Sequence, residues 1–217
     1  MRTRLALPCA AAFAVLAVLV AHGGVVHRVD QWAVHHLMPG LNPGSRAPST
    51  AASLVPFRHA GVGGRGAIRL VTNVWTFPAS AGVSFVLFAV GCALLWRRGR
   101  RTAALVWAGL WIAGNAVEVL CKHVLERPPL SAISHGVPVH LSGFDASYPS
   151  GHTLRSILLA GLVIALWPRA RRPALVWAAV ALPLLLVAGF HTPSDIVGGA
   201  LLAGLLLALG AEAGYRP

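Results

Sequence analysis

An all-α fold, a six-helix transmembrane bundle with both termini in the cytoplasm, is predicted by three features of this chain. Of its 217 residues, 56% are hydrophobic and 11% are charged, and the mean hydropathy is +0.70. No soluble core takes up that much apolar side chain. Six stretches approach the roughly 20 apolar residues needed to cross a hydrocarbon layer about 30 Å thick. Arginines gather in short segments between some of these stretches and not others, the asymmetry that sets membrane orientation.

The first stretch, residues 5–25, follows a start that carries Arg2 and Arg4. A basic start and an apolar run suit both a secretory signal and an anchor. With no small-x-small cleavage site ahead of a polar segment, 1–26 reads as a retained first helix. Residues 27–76 are rich in Pro, Gly, Ser and His and read as an extracytoplasmic loop. The arginines within it do not oppose this placement, because long loops translocate largely regardless of charge. Inside that loop a short interfacial helix is expected from Asp30, and 39–67 is expected to be irregular.

Residues 77–212 form the predicted helical core. Segments 77–96 and 102–121 flank Arg97, Arg98, Arg100 and Arg101, and segments 151–167 and 174–190 flank Arg169, Arg171 and Arg172. Short basic loops stay in the cytoplasm. The sixth segment, 195–212, leads to a cytoplasmic tail at 213–217 that carries Arg216. Six crossings place every short basic segment on one side. The ends of the third and fifth segments and the start of the fourth then share the outer side.

The formal charge of +12 raises the possibility of a nucleic-acid partner. Its concentration in short loops between apolar stretches argues for no nucleic acid and for the bilayer as the partner. Cys9, Cys92 and Cys121 are widely spaced, with neither a metal-ligand pattern nor an even number for disulfides.

Three polar stretches fall on the predicted outer side. Ser150 stands where an N-cap belongs, and Gly151 beside it leaves backbone N–H groups free to hold a phosphate, with His152 facing the same pocket. In the second stretch Thr192 suits an N-cap, Pro193 the first helical position and Asp195 the third, which is a capping pattern. The same turn also brings the Asp195 carboxylate toward His191, where it would fix the imidazole tautomer and sharpen the other nitrogen as a nucleophile.

Lys122 and Arg127 form the third stretch. Cations at a membrane end are ordinarily snorkelling anchors, but on an outer end they also suit a transferring phosphoryl group. Glu118, one turn before Lys122, is expected to pair with Lys122 or with Arg155. Asn115 is expected to bond between helices. Arg155 lies three positions after His152, on nearly the same helix face, as a third phosphate clamp or as the partner of Glu118.

Pro149-Ser150-Gly151-His152, followed by His191 and Asp195 with three residues between them, resembles the second and third motifs of the type 2 phosphatidic acid phosphatase (PAP2) superfamily, in its integral-membrane form. The resemblance covers about residues 77–212. It implies a six-helix fold with a phosphate site at the outer face. It further implies His191 as the nucleophile that becomes a phosphohistidine, Asp195 as its orienting group, and His152 as the acid that protonates the leaving oxygen and then the base that activates water. Ser150 and Gly151 would help hold the phosphate. No cofactor and no metal are implied.

The substrate class that follows is a lipid phosphate monoester or pyrophosphate, such as phosphatidic acid, phosphatidylglycerol phosphate or a polyprenyl pyrophosphate. Two family arginines are missing. The first-motif position counted from Lys122 is Pro129, while Arg127-Pro128 lies two residues earlier, and the third-motif position is Leu185. Arg127 and Arg155 are the expected replacements for that clamp. The competing reading is a non-catalytic protein that binds or transports an anionic lipid through the same pocket.

Overall fold

The computed structural model describes residues 3–37, 64–125, 127 and 147–212. The described residues form eight α-helices, with short 3-10 turns at Phe77–Ala79 and Pro168–Ala170. The helices are α1 (Thr3–His22), α2 (Gly24–Leu37), α3 (Gly64–Thr76), α4 (Ala81–Arg97), α5 (Arg101–Leu125), α6 (Gly151–Leu166), α7 (Arg171–Val187) and α8 (Pro193–Glu212). Five helical stretches are long and apolar enough to cross a membrane: Leu5–His22, Ala67–Arg97, Arg101–Leu125, Pro168–Val187 and Pro193–Ala211.

The remaining apolar helix, α6, has 16 residues and a length of about 24 Å. It forms the centre of the bundle. Helices α4, α5, α7 and α8 pack around it, α1 runs along α8, and α2 folds back onto α8. Leu154, Leu158 and Leu162 recur every four residues along α6 and are fully buried. With Leu95, Trp107 and Leu202 they fill the core. Close helix approach relies on small residues, as is usual where lipid supplies no hydrophobic drive. A Cβ on Gly161 would lie 2.7 Å from the Trp107 ring. Outward faces such as Leu105, Ile112 and Val124 stay apolar and exposed, as a lipid-facing surface requires.

The arginines that oriented the sequence have a second role at one end of α6. Arg98 donates to the Leu166 carbonyl at 2.8 Å and Arg100 to the Ala165 carbonyl at 2.7 Å. Both satisfy carbonyls that a helix C-terminus leaves without partners, and both complement its negative dipole end. The polar motifs lie at the opposite end of the same helix.

The structure departs from the sequence expectation between residues 27 and 76. That stretch contains α2 and α3 rather than a loop with one short interfacial helix, and the apolar crossing begins at Ala67 instead of 77. Arg69, Thr72 and Asn73 interrupt the apolar pattern of α3, and Pro78 reads as a break. It is in fact the middle of a single 3-10 turn that carries α3 into α4. Tertiary bonds stabilise α3: Trp75 Nε1 donates to the Trp177 carbonyl, and Trp177 Nε1 returns the bond to Trp75, both at 3.0 Å. Of the expected irregular segment, 64–67 belongs to α3. Residues 39–63, the 213–217 tail and the Pro128-Pro129 positions lie outside the described residues.

Candidate active site

The start of α6 is capped as the sequence suggests. Ser150 Oγ accepts from the Thr153 N–H at 3.2 Å, and Ser150 is completely buried. Its own N–H donates to the Asp195 carbonyl at 2.9 Å, which ties the beginning of α6 to the beginning of α8. That approach depends on Gly199, where a Cβ would stand 2.5 Å from the Ser150 carbonyl oxygen. Gly198 gives the same freedom to the ring of the buried Tyr148. Outside the spanning segments, the Tyr148 hydroxyl is pushed above its usual range, chiefly by burial.

The chain enters α8 through a turn at Gly189, whose φ of 71° suits the residue that ends α7. His191 follows. Thr192 and Asp195 then form a reciprocal cap: the Thr192 N–H donates to Asp195 Oδ2 at 2.9 Å, and the Asp195 N–H donates to Thr192 Oγ1 at 3.4 Å. With Pro193 in the first helical position, this is a capping box with Asp at the third residue. His191 Nδ1 lies 3.8 Å from Asp195 Oδ2, beyond hydrogen-bonding distance, and has no hydrogen-bond partner among the described residues. The Asp195 carboxylate therefore lies near His191 without a direct hydrogen bond to it, and bonds the Thr192 N–H and Arg127.

His152 and His191 come together across the two helix starts. Their ring centroids are 6.1 Å apart, with the planes inclined at 53°.

Arg127 is buried at the centre of an acidic network. It donates to Asp195 Oδ1 at 2.8 Å, to Ser194 Oγ at 2.6 Å and to Asp30 Oδ2 at 2.5 Å. Burial opposes its charge, but Asp195 and Asp30 outweigh that effect and hold the guanidinium above its ordinary value. Asp30 also accepts from the Ser194 N–H at 3.1 Å and from Ser194 Oγ at 2.6 Å. Sequence reasoning placed Asp30 at the start of an interfacial helix and missed this role. One signal was available: Asp30 is the sole acidic residue ahead of Glu118.

Lys122 and Arg155 meet at Glu118, so both expected partners are used. Lys122 Nζ lies 2.9 Å from Glu118 Oε1, and Arg155 Nη1 lies 2.6 Å from Oε2. Arg155 also bonds Asn115 Oδ1 at 2.9 Å and the Ala79 carbonyl at 2.8 Å. Asn115 thus links helices as expected. The Glu118 carboxylate and the Arg155 guanidinium press against Gly151, leaving no room for a Cβ there.

A helical membrane bundle thus carries at one end a pair of histidines, a capped carboxylate and three cations. The PAP2 superfamily model matches residues 112–215, just under half of the chain. Its fold is similar to the crystal structure of the first transmembrane PAP2-type phosphatidylglycerolphosphate phosphatase from Bacillus subtilis. That similarity has a TM-score of 0.65 and 19% sequence identity, and covers 98% of each chain. No curated protein sequence matches this one significantly.

Proposed function

We propose that the protein is a membrane phosphatase that hydrolyses a lipid phosphate monoester or pyrophosphate at the extracytoplasmic face through a phosphohistidine. The observation that supports this most is the placement of His152 and His191 6.1 Å apart at two adjoining helix starts, one of which presents backbone N–H groups beside Gly151. His191 attacks phosphorus, and the bond to the leaving oxygen breaks as His152 gives that oxygen its proton. His152, now neutral, takes a proton from water. The hydroxide displaces His191 from phosphorus, inorganic phosphate leaves, and both histidines return to their starting state. Ser150 and Gly151 support the phosphate, and Lys122 and Arg155 balance its charge.

Arg127 has a different part in this scheme. Its hydrogen bonds to Asp30, Ser194 and Asp195 make it a positioning residue for the first turn of α8. The extracytoplasmic placement rests on the arginine-rich loops at the other end of the bundle.

The test is phosphate release by the purified full-length chain from phosphatidic acid, phosphatidylglycerol phosphate and a polyprenyl pyrophosphate. Brief exposure to labelled substrate should leave acid-labile label on His191. Activity should fall at least 1,000-fold in His191→Ala, on the scale seen when a catalytic nucleophile is removed. Unchanged release in that variant would sink the assignment. The second reading, a non-catalytic anionic-lipid binder, draws on the pairing of all three site cations with carboxylates. It predicts lipid binding that survives both His152→Ala and His191→Ala, with no phosphate released by the parent chain.

A further inference from the structure

The chain has six acidic residues, and among the described ones Asp30, Glu118 and Asp195 lie at the site. They face three cations, Lys122, Arg127 and Arg155, so the described charged groups other than histidine cancel. A buried neutral cluster offers little to an incoming anion unless one internal carboxylate gives up a cation. Asp30 and Asp195 are poorly suited to do so. Each is completely buried and accepts a backbone N–H at the start of α8, from Ser194 and Thr192 respectively.

Glu118 differs. No backbone group donates to it among the described hydrogen bonds, and its carboxylate sits beside Gly151 at the positive end of α6, where the proposed site receives phosphate. Of its two partners, Arg155 is anchored by Asn115 and the Ala79 carbonyl. Lys122 is more exposed, at 14% for its side chain, and is a flexible point charge. Lys122 is the cation that can change partners.

From this arrangement we infer that Glu118 is a specificity-determining counter-ion: it holds Lys122 in the ligand-free protein and yields it only to a terminal phosphate carrying more than one negative charge. A phosphodiester brings one charge, the same as the carboxylate it would displace, and gains nothing by the exchange. A monoester phosphate carries about −1.5 to −2 near neutral pH and does gain. A pyrophosphate end gains as well. Discrimination is a difference between affinities, and a resident carboxylate subtracts most from the weaker competitor. The consequence is chemical selection against the phosphodiester headgroups that form the surrounding bilayer. The assignment rests on the proposed phosphate site but not on turnover.

Isothermal titration of the detergent-solubilised full chain with inorganic phosphate, methyl phosphate and dimethyl phosphate tests it. In Glu118→Gln, phosphate should bind at least tenfold more tightly, and the preference for methyl over dimethyl phosphate should shrink at least tenfold. In Lys122→Met, phosphate affinity should fall at least tenfold. Unchanged or weaker phosphate binding in a folded Glu118→Gln, or an unchanged methyl-to-dimethyl preference, would overturn the assignment. Should Glu118→Gln not fold, Lys122→Met decides, because phosphate binding as tight as in the parent chain shows that Lys122 is not the cation transferred. A chain that binds phosphate with these dependences yet hydrolyses no ester sinks the proposed function and leaves this inference standing.

Discussion

At the scale of single residues, Asp30 illustrates how a buried charge is kept. Arg127 has two carboxylate partners, and the loss of either leaves a guanidinium with less compensation in a buried setting. Breaking a buried pair from one side costs about 3–5 kcal/mol, mostly through the charge left behind. Asp30→Ala should therefore destabilise the full chain by about 3 kcal/mol, read as a lowered denaturation midpoint in detergent. It should also reduce kcat more than KM, because Asp30 touches the first turn of α8 and not the proposed phosphate position. Asp30→Asn keeps hydrogen-bonding groups and should recover part of both losses. A change in KM alone would place Asp30 at the substrate rather than behind α8. None of these partners was legible in the sequence, since a contact spanning 97 residues leaves no local pattern. The capping box of Thr192 and Asp195 was legible because capping is chemistry between residues three positions apart.

At the scale of elements, the meeting of α6 and α8 decides whether the two histidines face one another. The bond from Ser150 N–H to the Asp195 carbonyl and the bare Cα of Gly199 set that meeting. Gly199→Ala places a methyl group against backbone, which cannot rotate away as a side chain can. Overpacking of this kind costs about 1–3 kcal/mol. The expected result is a lower denaturation midpoint together with a loss of phosphate release. Gly109 on α5 is the matched control, because a Cβ there meets nothing within 4 Å. Gly109→Ala should be neutral or slightly stabilising, by up to about 1 kcal/mol, through helix propensity. Equal effects from the two substitutions would show that the Gly199 contact does not govern the site. The limits of sequence reading at this scale are visible in α3. Its mixed polar and apolar pattern gave no continuous membrane signal, and the reciprocal Trp75–Trp177 bonds that stabilise it depend on a helix 102 residues away. The long apolar runs of α1, α5 and α8 needed no such help.

At the scale of the whole molecule, the distribution of arginine makes a topological claim that is independent of the chemistry. Arg98 and Arg100 cap the C-terminal end of α6, while Ser150 caps its N-terminal end beside the histidines. The basic loops and the candidate site are therefore at opposite ends of the central helix. If the basic loops are cytoplasmic, the site opens on the other side. The measurement is thiol labelling in intact cells with a membrane-impermeant reagent, after replacement of the three native cysteines. Arg169→Cys occupies an exposed position in the 3-10 turn before α7 and should label only after the cells are broken. Ser49→Cys, in the 27–76 stretch, should label in intact cells. The reverse pattern would put the histidine pair on the cytoplasmic side, and a phosphatase there would draw on a different pool of lipid phosphates. Labelling of both positions in intact cells would contradict the positive-inside assignment altogether, because one exposed arginine-rich turn would then have crossed the membrane.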